Sequence, residues 1–403
     1  MGAPAKEPRV ELNPFSYEFH EDPYPTYRWL RDHAPLYRND ALNFWALSRY
    51  QDVLAASLAW ETYSSAEGTT IERIDPRLFE TRPMIIFLDP PRHDRLRKLV
   101  SRAFTPRRVA ELEPFIRRTV VRLLDAVARE GGGDFVHDIS MPLPMEVIFT
   151  LLGVPEGDRR QLREWMDVSL ERDPDTPIIP ERAMIGMAQM MQYWPEFIAR
   201  LRRSPDDGLV SALLTAEVAD DDGTPTRLTD GEIIGFCNLI GSAGNETVTK
   251  LLANACVLFA RHPAEYAKVL AEPRAIPDAV EEVLRYTSPS QYQGRMTTSD
   301  VEWYGETVPK GSRILLLTGS GNRDEREFPD PDRFDVSRRP EQHLALGYGV
   351  HFCLGASLAR LESRVTLEEF ARRFPRYTVD ESRCVRVHMS NVHGYEHVPF
   401  AVA

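Results

Sequence analysis

The chain has 403 residues, of which 42% are hydrophobic, and it carries a formal net charge of -12. Length alone would suggest two or three domains, but Gly/Ser-rich linkers, low-complexity tracts and repeats are absent, so we expect a single domain over residues 1–403. The negative charge argues against nucleic-acid binding, which depends on neutralising phosphates with Lys and Arg.

The predicted elements, taken in chain order, are mostly helical. A short strand is expected over residues 43–47, near turn-forming residues. Helical periodicity then dominates residues 106–270, for instance at 109–116, where apolar residues recur at steps of three and four. Two further short strands are expected at residues 313–317 and 385–389. The fold class is therefore mainly α with a small β portion.

The clearest helix is predicted from Thr229 to the residue before Pro263. Thr229 and Glu232 form a capping-box signature at its start, and Pro263 ends it. Apolar residues occupy several faces of this helix, as expected for a helix that is buried through the middle of the molecule.

The centre of this helix carries residues that a buried helix normally avoids. Gly241 and Gly244 each cost about 1 kcal/mol against alanine, and Glu246 is an acid in an apolar setting. The hydroxyl of Thr247 can bond the carbonyl of Ala243 one turn back, which would loosen the helix locally. The segment indicates a flat ligand against this face. The alternative is a helix bend with a satisfied Thr and a surface Glu.

The cysteines and the N-terminal residues indicate a cytoplasmic location. The four cysteines lie far apart and form no CxxC pair, which argues against a zinc site or a disulfide framework and fits a reducing setting. Residues 1–6 contain no apolar run that could serve as a signal peptide, and no stretch approaches the roughly 18 apolar residues of a membrane helix. We expect a cytoplasmic monomer without membrane attachment.

A further unusual segment, residues 346–355, places a lone cysteine in a glycine-rich turn that runs into a helix-forming sequence. Gly347, Gly349 and Gly355 let the backbone approach closely, and neighbouring amide donors can meet the charge of the Cys353 sulfur. The segment therefore looks like a socket for haem iron. The alternative is a small buried thiol in a tight turn.

This segment resembles the cysteine-ligand loop of the cytochrome P450 (haem-thiolate monooxygenase) superfamily, and residues 356–362 continue as that family's next helix does. Because no anchor is expected, the resemblance points to the soluble, bacterial type. The family usually has Phe where this chain has Leu346, so we expect the sulfur to be shielded differently here. The resemblance implies the cytochrome P450 fold, a triangular helical prism with minor β-sheets, and a haem b cofactor held by Cys353.

The resemblance also implies which residues surround the cofactor. Haem carries two carboxylates that need cations, and His93, Arg97, Arg295 and His351 match the family's propionate contacts, although isolated charges are usually solvated. Cys353 is the expected metal ligand. The expected cofactor-binding residues are His93, Arg97, Ala243, Gly244, Arg295, Leu346, Gly347, His351, Cys353 and Gly355.

Two further groups of residues follow from the resemblance. Glu246 and Thr247 match the family's acid-alcohol pair, which delivers protons for the reduction of oxygen. Glu282 and Arg285 form an ExxR pair on one helical face, and Arg333 would complete a structural triad with them. The ExxR spacing recurs elsewhere in the chain. Glu282 and Arg285 are chosen because only they lie between the long helix and the cysteine loop.

The source of electrons is expected to be external, because the sequence contains neither a dinucleotide GxGxxG nor a P-loop. Residues 92–108 hold seven Lys or Arg against one acid, Asp94. We predict that this positive face docks an acidic ferredoxin or flavodoxin-type donor, which works with its own reductase. The alternative is a solvated helix that serves only the haem.

Together these features predict a monooxygenase that inserts one oxygen atom from O2 into a small hydrophobic organic substrate. The pocket walls are expected at residues 67–86, 236–243 and 288–296. Three alternatives stay open: a peroxide-driven or isomerising enzyme, which would have little use for the acid-alcohol pair; a haem-thiolate binding or sensor protein without turnover; and a haem-free helical scaffold.

Overall fold

The computed structural model describes residues 10–72, 75–170, 173, 179–219, 224–389 and 391–402. Within these residues helices dominate, as predicted. The α-helices, in chain order, are α1 Tyr17–Glu21, α2 Tyr24–His33, α3 Tyr50–Leu58, α4 Arg92–Ala103, α5 Pro106–Glu111, α6 Glu113–Glu130, α7 Pro142–Leu152, α8 Glu156–Leu170, α9 Glu181–Arg203, α10 Leu209–Thr215, α11 Asp230–Arg261, α12 Pro263–Ala271, α13 Ile276–Tyr286, α14 Thr318–Gly321 and α15 Ala356–Arg373.

The strands are short and form small sheets. They are β1 Leu36–Asn39, β2 Phe44–Leu47, β3 Tyr63–Ser64, β4 Gly132–Asp134, β5 Glu217–Ala219, β6 Pro225–Arg227, β7 Gln293–Thr297, β8 Val301–Trp303, β9 Glu306–Val308, β10 Arg313–Leu316, β11 Tyr377–Val379, β12 Val385–Arg386, β13 Tyr395–His397 and β14 Pro399–Val402. The largest sheet has the order β1-β2-β10-β7-β3, a second has β11-β14-β4, and the other strands pair as β12-β13, β5-β6 and β8-β9.

Two of the strands predicted from sequence lie side by side. In the five-stranded sheet β10 runs parallel to β2, with Ile314 opposite Trp45, and the other pairs in this sheet are antiparallel. β10 is buried along its whole length, which is why the residues after Arg313 form a continuous apolar run rather than an alternating one. The same strand pairs on its other edge with β7, which places Arg295 in the interior.

The long helix α11 begins and ends where its sequence predicts. Thr229 accepts a hydrogen bond from the N–H of Glu232, and the Glu232 carboxylate accepts one from the N–H of Thr229, so both halves of the capping box form. The helix ends at Arg261, before Pro263 starts α12. Buried residues cover most of its circumference, and α7 and α9 pack against it within the largest apolar core.

Two local predictions need correction. The helical pattern at residues 109–116 is divided between α5 and α6, because Pro114 lacks the N–H that a continuous helix would use there. The strand predicted over residues 385–389 is limited to β12, where the pairing with β13 shifts register. Within the described part of the chain, no helix combines the length and apolar character that a membrane crossing requires.

Candidate active site

The cysteine loop folds as two short 3₁₀ turns that lead into α15. The first spans Leu344–Leu346 and the second Gly349–His351. Gly347 and Gly349 have φ angles of +69° and +68°, and a Cβ atom on Gly349 would lie 2.7 Å from the carbonyl oxygen of Ser57. The positive φ angles favour glycine at both positions, and at Gly349 a side chain would also clash with the end of α3.

Cys353 lies at the end of this loop, half-exposed. Its N–H donates to the Leu346 carbonyl at 2.8 Å, which closes the loop on itself. Burial raises the pKa of the Cys353 thiol, whereas the N–H of Gly355 and the positive charges of Arg97 and Arg360 act in the opposite direction. A coordinating metal deprotonates a thiol outright, so a sulfur that already faces an amide and two cations suits a metal ligand.

Four basic side chains predicted from sequence, two arginines and two histidines, converge beside this loop. Arg97 on α4 donates to the carbonyls of Val350 and Phe352 at 3.0 and 2.7 Å. The His93 ring, on the same helix, lies 4.6 Å from the His351 ring, measured between centroids. The positive charge of Arg295, which is buried on β7, acts on His351. One helix, one strand and the loop therefore supply a single cluster.

The electrostatics of this cluster favour a bound anion. Burial, together with the positive charges of Arg295, His93 and Arg97, lowers the pKa of His351 to about 2. Burial also lowers the pKa of Arg295 to about 10, although Asp89 opposes this shift. Cations that repel one another in a poorly solvated space are stabilised by carboxylates. The residues present thus fit a group that carries two carboxylates, as haem does.

The centre of α11 presents an accessible face, as its composition predicted. Ala243 is exposed and Thr247 is half-exposed, although most of the helix is buried. The Thr247 hydroxyl donates to the Ala243 carbonyl at 2.9 Å, which is the local bond expected from sequence. Glu246 is paired with Lys250 one turn later, with 2.9 Å between Oε1 and Nζ, and both side chains are largely buried. The acid is therefore neither a surface residue nor unpaired.

The structure explains the glycine at position 244 by a packing contact that the sequence did not reveal. A Cβ atom at this position would lie 2.7 Å from Cδ1 of Ile148, which is on α7. The glycine therefore allows close packing of α7 on α11, and this contact accounts for it without a ligand. Ala243, the preceding residue, lies on the accessible side of the helix.

Of the three residues predicted to form a structural triad, Glu282 and Arg285 pair with each other, whereas the Arg333 side chain does not reach Glu282. Glu282 and Arg285 are fully buried on α13 and form a two-bond pair of 2.7 and 2.8 Å. The cation that reaches Glu282 is Arg338, whose Nε lies 3.3 Å from Oε1. The Arg333 side chain is 63% exposed and lies 3.6 Å from Asp335, so Arg333 contributes only its carbonyl oxygen, which accepts from Arg285.

Sequence reasoning missed several residues around the site. Ser65 approaches His351, with 3.1 Å between Oγ and Nε2, and Arg360 on α15 holds Glu281 in a two-bond pair. Burial raises the pKa of Glu362, also on α15, well above its usual range. Arg360 and Glu362 lie in the helix that follows Cys353, at fixed sequence distances from it, and this spacing could have indicated that they are near the site. Ser65 gave none, because the contact joins distant segments.

Comparisons with known proteins agree on one family. The family model for cytochrome P450 matches residues 181–386. Cytochrome P450 123 of Mycobacterium tuberculosis is 45% identical over 398 residues, which cover 98% of each chain. Cyclomarin C epoxidase CymV of Salinispora arenicola is 40% identical over 361 residues, covering 88% of this chain and 90% of that protein. The crystal structure of CYP109E1 from Bacillus megaterium in complex with corticosterone superposes with a TM-score of 0.85 at 32% identity, covering 96% and 99% of the two chains.

Proposed function

Because this chain belongs to the cytochrome P450 family and is a haem-thiolate monooxygenase, we propose that Cys353 is the thiolate ligand of a haem b group. The observation that carries this proposal is the position of Arg97. Its guanidinium bonds the carbonyls on either side of residue 351 in the cysteine loop, while His93 from the same helix contacts His351. The loop and the cation cluster therefore form one site.

The haem-thiolate supplies the chemistry that reduces O2 and transfers one oxygen atom to a C–H or C=C bond. The residues of the chain position the haem and control protons. His93, Arg97, Arg295 and His351 would anchor its carboxylates by charge-assisted hydrogen bonds. Leu346, Gly347 and Gly355 would shape the space around the sulfur, and the exposed Ala243 face of α11 would leave room for the haem.

Glu246 and Thr247 are proposed to deliver protons. Thr247 already donates its hydroxyl hydrogen to the Ala243 carbonyl, so the hydroxyl oxygen is left to accept a hydrogen bond from water or a ligand. Glu246 is held by Lys250 and must leave this pair to exchange a proton. The acid and the alcohol would thus act one after the other, and solvent would reprotonate the Glu246 carboxylate.

The substrate is proposed to be a small hydrophobic molecule, and residues 1–403 to work as one catalytic domain in the cytoplasm. One apolar core contains residues from Ile85 to Phe400, which supports a single unit. The four cysteines are free thiols, which supports a reducing compartment. Relatives of this chain include an epoxidase and a protein with bound corticosterone, and these support an apolar substrate.

The test of the cysteine assignment is the absorption spectrum of the reduced, carbon-monoxide-treated protein. We expect the strongly red-shifted Soret band of a thiolate ligand in the wild type, and its loss in Cys353→Ala. Cys384→Ala is the matched control, because Cys384 is also a free, half-exposed cysteine, and it should keep the wild-type band. A red-shifted band in folded, haem-loaded Cys353→Ala would contradict the assignment.

The electron donor is proposed to be an acidic ferredoxin or flavodoxin that docks on α4 and α5. Two of the seven basic residues are used inside the protein: Arg95 bonds Glu232 and Thr226, and Arg97 bonds the cysteine loop. The exposed cations of this face are Arg92, Lys98, Arg102 and Arg107. Since α4 also carries His93 and Arg97, a donor on this face would reach the haem over a short path.

Reversing charge on this face is expected to slow reduction. The variant Lys98→Glu/Arg107→Glu should reduce the rate of electron transfer from an acidic donor about tenfold or more at low salt, and the difference should shrink at high salt. The control Arg274→Glu/Lys310→Glu changes the net charge equally at exposed positions outside α4 and α5. Equal rates for both variants, measured by stopped-flow reduction, would rule out docking on this face.

A further inference from the structure

A second cluster of ligand-type side chains lies apart from the cysteine loop, around the three-stranded sheet. Asp134 ends β4, His137 lies in a π-helical turn over Val136–Ser140, and His397 ends β13. One carboxylate oxygen and one imidazole nitrogen from each histidine lie within 4.8 Å of one another. Two of the residues are close in sequence, whereas the third comes from the other end of the chain.

The carboxylate of this cluster is held in a fixed orientation by the backbone. Oδ1 of Asp134 accepts N–H bonds from Val136, His137 and Val398, at 2.9, 3.3 and 3.2 Å. Its other oxygen, Oδ2, therefore faces the histidines and lies 2.9 Å from Nδ1 of His397. Metal-binding carboxylates are commonly fixed in this way by hydrogen bonds to the oxygen that does not bind the metal.

The two histidines are placed by local backbone features. The Met141 N–H donates to the Val136 carbonyl at 2.9 Å, which defines the π turn. Such turns are rare in proteins, and those that occur often lie at functional sites. The pairing of β4 with β14 sets Asp134 opposite Pro399, so His397 arrives just beyond it. The imidazole rings lie 4.7 Å apart between centroids, and the His137 side chain is exposed.

We propose that Asp134, His137 and His397 form a binding site for a divalent transition metal ion, with Zn²⁺ as the best fit. Donors about 2.0–2.2 Å from tetrahedral zinc lie roughly 3.4 Å apart, and the separations in this cluster, from 2.9 Å to at most 4.8 Å, bracket that value. Two imidazoles and one carboxylate suit Zn²⁺, Ni²⁺ or Cu²⁺, and solvent supplies the open position.

Metal binding would replace one hydrogen bond by three bonds between the ion and its protein ligands. The metal replaces the hydrogen bond between Nδ1 of His397 and Oδ2 of Asp134, and any proton on the ligating nitrogen is released to water. The ion then joins β4 and the π turn to the C-terminal strands β13 and β14. This site shares no residue with the cysteine site, so the inference does not depend on the proposed function.

The test is a calorimetric titration of the tag-free holoprotein with Zn²⁺ after removal of loosely bound ions by a chelator. We expect saturable binding of one ion per chain in the wild type and a loss of affinity of at least about tenfold in His137→Gln and His397→Gln. His33→Gln is the matched control, since His33 is an exposed histidine on α2, and it should bind like the wild type.

His137→Gln is the decisive variant, because His397 also pairs with Asp134 and its replacement can weaken the fold. Zn²⁺ should raise the melting temperature of the wild type and of His33→Gln, but not that of His137→Gln. The proposal is overturned if the wild type shows no saturable binding, or if His137→Gln binds Zn²⁺ with the affinity of the wild type.

Discussion

Replacing Glu282 with alanine is expected to destabilise the protein by about 3–5 kcal/mol, because it leaves the Arg285 guanidinium buried without its acid. Both side chains are fully buried, and Glu282 accepts from Nε and Nη2 of Arg285. The remaining partners of Arg285 are neutral carbonyls, including those of Asn322 and Pro331. Burial lowers the pKa of Arg285, and the variant removes the acid that opposes this.

The expected loss should appear as a lower melting temperature, followed by far-UV circular dichroism and by haem absorbance. A domain's ordinary stability is about 5–15 kcal/mol, so Glu282→Ala should yield little folded, haem-loaded protein at 37 °C. An unchanged melting temperature would show that Arg285 finds another acid, and would contradict the interpretation of the pair as structural.

Arg338 and Arg333 provide a matched comparison within the same loop. Arg338 is largely buried and donates to Glu282 and to the carbonyls of Pro329 and Asp330, so Arg338→Ala should cost about 1–3 kcal/mol. The exposed Arg333 contributes a backbone carbonyl that alanine retains, so Arg333→Ala should stay within about 0.5 kcal/mol of the wild type. The reverse order would restore the sequence-based assignment of Arg333.

The features that the sequence predicted well depend on short-range signals. The start of α11 could be predicted because Thr229 and Glu232 cap the same turn. The bond from Thr247 to Ala243 likewise spans one helical turn. In each case the groups that interact are separated by only a few residues, so residue type and spacing are sufficient to define the geometry.

The features that the sequence did not predict depend on contacts between distant segments. Arg333 and Arg338 are both arginines in the loop after α14, and only the fold of that loop decides which one faces Glu282. The packing of Ile148 from α7 against Gly244 is a second such contact, because the two residues are far apart in sequence. The pair of Glu246 with Lys250 has helical spacing, but lysine is seldom buried, so the spacing alone does not indicate a buried pair.

Replacing Glu246 with glutamine is expected to lower the rate of product formation by about 10²–10⁴-fold, the usual contribution of a positioned acid. Thr247→Val keeps the shape of the side chain but removes the hydroxyl, and it should divert electrons from product to hydrogen peroxide. Both effects follow from the proposed role of this pair on the accessible face of α11. The measurements are product and peroxide formed per electron pair, and the solvent deuterium isotope effect on turnover.

Ser242→Ala separates proton delivery from a simple change in the helix. Ser242 also donates its hydroxyl to a carbonyl one turn back, that of Asn238 at 3.0 Å, so this variant removes the same kind of local bond from the same helix. It should leave coupling and the isotope effect at wild-type values, whereas Glu246→Gln and Thr247→Val change both. Equal uncoupling in Ser242→Ala would mean that the hydroxyls act by bending α11, and the acid-alcohol pair would then be a structural feature rather than a proton path.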